Sequence, residues 1–197
     1  MARGRRGVAA RTKRMAVCAL FSALGVVLLS LGALTEILDL TAAMLVSLFL
    51  IPIVVEYGGA YPYLVWAVTG VLGLFIVPQS WATQMYAGFL GYYPIMKNIL
   101  ERIRVKPLAW LLKIVIFNVA LFAYMLVLFW LSGRGQGLLD TIKGLFGGVE
   151  MLGTSNWWLL ALLALFEFMF VIYDVLVSKC VLLYLYRFRP KMKKYFQ

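Results

Sequence analysis

The stretch KRMAVCALFSALGVVLLSLGAL, Lys13–Leu34, decides the fold class. Two cations lead into twenty residues without a charge, close to the ~20 apolar residues that cross ~30 Å of hydrocarbon as a helix. Ahead of it stand Arg3, Arg5, Arg6 and Arg11, with no acid among the first fourteen residues. A basic segment before an apolar run is also the design of a signal peptide. This run is longer than the apolar part of such a peptide, and it continues as a helix rich in small residues. It reads as a first membrane helix.

The rest of the chain repeats the pattern. Of its 197 residues, 64% are hydrophobic and 14% charged, with a mean hydropathy of +0.92. A soluble domain is about 25% charged, so water is the wrong solvent for this surface. Further apolar runs cover Leu40 to Val55, Tyr61 to Val77, Ala82 to Leu100, Pro107 to Leu131 and Trp157 to Tyr186. They are continuous rather than short and alternating, which selects helices over the strands of a membrane barrel. The expectation is an all-α integral membrane protein: a six-helix bundle over residues 15–186, a basic segment 1–14 before it and a basic tail 187–197 after it.

Charge supplies the orientation. The N-terminus, the connection holding Lys97, Arg102, Arg104 and Lys106, and the tail from Arg187 to Lys194 carry most of the basic residues. Six alternating helices put all three on one side, and the positive-inside bias makes that side, with both termini, cytoplasmic. The net charge of +11 therefore reads as a topology signal and as attraction to anionic headgroups, not as a nucleic-acid surface. The Gly133 to Asn156 loop falls outside, and Leu138, Leu139, Ile142, Leu145 and Phe146 within it share one face of a short amphipathic helix.

Histidine is absent, which removes His-ligated metals, Ser-His and Cys-His nucleophile pairs and His proton relays. Cys18 and Cys180 lie inside apolar runs and read as small hydrophobes. No phosphate-binding loop, nucleophile elbow or metal-ligand cluster occurs, so neither an enzyme nor a cofactor is expected.

Polar residues within apolar runs carry the remaining information. Glu167 and Asp174 are seven residues apart on one face of the last helix. Lys113 and Asn118 on the fifth helix are candidate structural partners of Asp174, while Glu167 has no basic residue at its depth. Glu36, Trp81, Gln84, Tyr86, Asn156 and Trp157 cluster at the outer helix ends, where aromatic, amide and acid groups can hold a small ring compound. With Glu167 they form the expected ligand site. Ala19 and Ala23, one turn apart, let a second helix approach closely, either one of the protein's own or that of another subunit.

Length, helix number, orientation and the opening Lys13-Arg14-Met15-Ala16-Val17-Cys18-Ala19-Leu20-Phe21-Ser22-Ala23-Leu24-Gly25 together resemble the S component of energy-coupling factor (ECF) vitamin transporters. The resemblance implies a plasma-membrane subunit that captures a vitamin-like small molecule. It would dock through an alanine face, here Ala19 and Ala23, on a transmembrane coupling subunit driven by two ATPase subunits. Other readings are a non-transporting scaffold of cell-envelope assembly and a lipid-directed membrane enzyme. The sequence names no substrate.

Overall fold

The computed structural model describes residues 2–35, 38–103, 105–131 and 157–190, and among them every regular element is a helix. The helices are α1 (Ala2–Thr35), α2 (Asp39–Leu48), α3 (Leu50–Glu56), α4 (Tyr61–Ile76), α5 (Trp81–Met85), α6 (Tyr93–Leu100), α7 (Lys106–Leu131) and α8 (Trp157–Leu183). Two π-helical turns, Tyr86–Leu90 and Tyr184–Phe188, follow α5 and α8. Glu36, Asn156, the amphipathic helix expected between Gly133 and Asn156, and the tail beyond residue 190 lie outside the described residues.

Among the described residues, four stretches are long and apolar enough to cross a membrane: Arg11–Thr35, Asp39–Glu56, Lys106–Tyr124 and Leu163–Phe188. The other two expected spans differ from the sequence reading. α4 has only 16 residues, about 24 Å of helix. The run from Ala82 to Leu100 is broken into α5, a π turn and α6. Pro94, near the start of α6, has no N–H to bond to the preceding turn, and the chain bends at Gly91-Tyr92. Pro52 does the same in milder form to the second span, which divides into α2 and α3 at Phe49.

The chain separates into two compact units, Met1–Ala109 with Val177–Gln197, and Trp110–Leu176. In the first, α1 packs on α2 and α4, α2 on α5, and α3 on α4 and α6. The buried side of α1 comprises Cys18, Ser22, Gly25, Val26, Leu29 and Gly32. Two of these are glycines for a measurable reason. A Cβ on Gly32 would stand 2.5 Å from the Ala42 Cβ, and one on Gly25 would stand 2.9 Å from the Thr69 methyl. The opposite side of α1, with Ala16, Ala19, Leu20, Ala23, Leu24, Val27 and Leu31, is exposed. Exposed Phe75, Phe122 and Phe168 show the same inversion on other helices.

One end of this first unit gathers distant parts of the chain. α3 closes through Tyr57, whose N–H and that of Gly58 both reach the Ile53 carbonyl, and Gly58 and Gly59 take positive φ to make the turn into α4. Glu56 accepts a 2.9 Å bond from Arg189 Nε beyond α8, and the Arg14 guanidinium sits 5.5 Å from the Tyr57 ring centre. The Glu56 carboxylate is thus neutralised by an arginine from near the other end of the chain. At the other end, Ser80 Oγ donates to Asp39 Oδ1 at 3.2 Å, joining the start of α2 to the start of α5.

Gly32→Val should lower the stability of the detergent-solubilised protein by about 1–3 kcal/mol through overpacking against Ala42. Ala23→Val, on the exposed side of the same helix, should leave the thermal unfolding curve unmoved.

Candidate functional site

Three groupings carry chemistry. The first lies in the second unit, where α7 and α8 face each other through three rungs. Lys113 Nζ donates to both Asp174 oxygens, at 3.0 and 3.3 Å, and both side chains are buried. Next, Phe117 and Phe170 stack with ring centres 4.6 Å apart and planes 9° from parallel. In the third rung Asn118 Nδ2 donates to Glu167 Oε1 and also to the Ile114 carbonyl of its own helix. The paired residues run in opposite directions along the two helices, as antiparallel neighbours require.

The three rungs are chemically unlike. Removing two charges from water is costly, and the close pairing of Lys113 with Asp174 offsets that cost while leaving no net charge. Glu167 receives only a neutral amide. It is half-buried, and among the described residues its second oxygen has no hydrogen-bond partner. Sequence had placed Asn118 beside Asp174 and left Glu167 alone; the structure gives Asn118 to Glu167 and Lys113 to Asp174. The Trp157 backbone opens α8, and its side chain is outside the described set.

The second grouping lies at the Asp39 end of the first unit. Ser80 caps α5 by accepting from the Thr83 N–H at 3.3 Å while holding Asp39. Gln84 Nε2 donates to the Pro78 carbonyl at 2.9 Å, so its amide is engaged in closing the α4–α5 turn. Trp81 is exposed at the head of α5. Tyr86, expected at a ligand surface, is instead completely buried. Its hydroxyl lies against that of Thr69, and the Thr83 hydroxyl, equally buried, has no hydrogen-bond partner among the described residues. Thr69, Thr83 and Ser80 were missed in the sequence because a hydroxyl on an apolar helix is ordinary there. Only burial sets them apart.

The third grouping is the exposed side of α1. Ala19 and Ala23 both face outward, away from α2 and α4, which α1 meets through its glycine side. No family model, curated protein or solved structure matches this chain.

Asp174→Asn should destabilise the protein by about 3–5 kcal/mol, because it leaves the Lys113 ammonium buried without its counter-ion. The double variant Lys113→Met with Asp174→Leu should recover most of that loss in the same unfolding assay.

Proposed function

We propose that this chain is the substrate-capture subunit of an ECF-type importer for a vitamin-like micronutrient. It sits in the plasma membrane with six helical crossings and both termini in the cytoplasm. The observation that carries the reading is the outward placement of Ala19 and Ala23. A small-residue step that packs the protein against itself would be buried, as Gly25 and Gly32 are; this one is exposed on the opposite side of α1. In lipid, where apolar surface gives no drive to associate, small residues allow close helix contact and hence dispersion attraction. An exposed step of this kind fits a helix from a separate coupling subunit, with the two ATPases bound to that subunit.

Two further features support it. Arg14, Lys97, Arg102 and Arg189 belong to the same end of the first unit as the Glu56 turn, the arrangement that the positive-inside bias predicts for a cytoplasmic end. In the second unit, Glu167 keeps an open acceptor oxygen on a helix long and apolar enough to cross a membrane. A lone charge at the centre of a membrane helix costs roughly 2.5–3.5 kcal/mol, so a carboxylate there favours a ligand that brings an N–H donor. The micronutrient is accordingly one with an amine, amidine-like or ring N–H group.

Ala19→Trp and Ala23→Trp should each abolish co-purification with a coupling subunit while the isolated variants unfold at the wild-type temperature. Retained co-purification in both would remove the docking assignment. Glu167→Gln should weaken binding of an N–H-bearing vitamin or nucleobase about tenfold in calorimetry, the loss of one charge-assisted hydrogen bond. Equal binding by both forms would make Glu167 a structural residue.

A further inference from the structure

The Glu56 end of the first unit contains a feature that the capture reading does not use. Ile51, Val54 and Val55 of α3, Pro94, Lys97 and Asn98 of α6, Glu101 just after α6, and Val181 of α8 border a half-open pocket of about 40 Å³. That volume admits a group or two the size of water, far less than the ~300 Å³ or more of a pocket that encloses a small molecule. Its occupant must therefore lie mostly outside it, along the protein's flank. The walls are graded by position. Pro94 precedes the end of α6 by more than a turn and Val181 is followed by the π turn Tyr184–Phe188, while Lys97, Asn98 and Glu101 come in the last turn of α6 or just after it. Apolar wall thus gives way to polar wall on approaching the basic end.

We propose that this groove binds one anionic phospholipid bearing a hydroxylated headgroup, of the phosphatidylglycerol type. The Lys97 side chain is almost wholly buried, an uncommon position for an ammonium. Its Nζ stands 3.5 Å from Glu101 Oε1 and 6.0 Å from the Tyr93 ring centre, so the ammonium is held at the pocket wall, where its three N–H donors can also serve an anion. A phosphate oxygen at the pocket mouth takes donors from Lys97 and Asn98. Arg102, exposed and one turn beyond Asn98, adds a second cation. Glu101, half-exposed, accepts from the headgroup hydroxyls, which a headgroup without donors would leave unpaired. One acyl chain lies over Val54, Val55, Pro94 and Val181. The sign follows from the surroundings: Arg14 and Arg189 at the Glu56 turn, with Lys97 and Arg102, outnumber the acids Glu56 and Glu101, and basic pockets between membrane helices on the cytoplasmic side favour anionic headgroups.

The test uses the full chain in a neutral detergent, with native mass spectrometry and thermal unfolding in the presence of phosphatidylglycerol, phosphatidylethanolamine or phosphatidylcholine. Phosphatidylglycerol should be retained at one copy per chain and raise the unfolding temperature, and the other two should do neither. Lys97→Gln alters a buried side chain and would confound binding with folding, so the deciding variant is Asn98→Leu with Arg102→Gln, both on exposed positions. It should bind phosphatidylglycerol about tenfold more weakly, in keeping with the worth of one surface cation and one hydrogen bond. Lys179→Gln removes an exposed cation two residues from Val181, hence on another side of α8, and should bind as the wild type does. An equal loss in Lys179→Gln would reduce the effect to diffuse charge, and equal retention of phosphatidylethanolamine would remove the anionic assignment. Soluble glycerol phosphate competing as strongly as the lipid would remove the acyl groove. None of these outcomes depends on transport or docking, so they stand or fall apart from the capture reading.

Discussion

The close approach of α1 to α2 and α4 is the constraint on which the first unit rests. At Gly32 the neighbouring chain leaves no space for even a methyl group, and at Gly25 the Thr69 methyl fills it. Helices that meet this closely gain dispersion contacts along their backbones. In exchange they accept almost no variation at those positions. The same economy holds at Gly73 in α4, where a Cβ would stand 3.0 Å from the Thr83 methyl and 3.3 Å from Leu29. α5 is thereby drawn against α4, and Ser80 and Asp39 fasten the turn at one end. At the opposite end the work passes to charge and aromatic contacts, through Glu56, Arg189, Tyr57 and Arg14.

Because α1 commits its glycine side inward, its alanine side is left outside, and the two sides can serve different ends. A change on one side alters how the unit holds together; a change on the other alters only what meets it. The helical period permits this division, since residues three and four apart share a side while their neighbours do not. Ser22 and Ala23 are adjacent in sequence, yet one is buried and the other exposed.

Much of the helical plan was legible in the sequence because apolar runs of this length have few other solutions. Pro78 marks the end of α4 and Trp157 the start of α8, close to where the structure places them. The interruptions were harder to see. A proline near the start of α6 and another within α3 alter hydrogen bonding without changing hydropathy, so runs that read as single spans divide. The Lys113–Asp174 pairing was readable, since each charge needs an opposite one at its own depth. Asn118 went to Glu167 instead, because its rung on α7 lies beyond Phe117, and depth counted along one helix does not report the register against another. Tyr86 shows the limit most plainly. An aromatic polar residue near a helix end looks like surface until the packing of α4 and α5 encloses it.

The Lys113–Asp174 pair also bears on how the protein is made. The two residues are 61 positions apart, so the ammonium of α7 is synthesised well before the carboxylate that neutralises it. A ribosome adding about 5–20 residues each second leaves that charge without its partner for several seconds. A helix holding one unpaired lysine is a poor candidate to enter lipid alone. α7 would wait in the polar channel of the insertion machinery, or at its lateral opening, until α8 arrives, and the two would pass into the bilayer as a hairpin. In a bilayer, biogenesis of the second unit would then be a joint event, timed by the length of chain between the two charges.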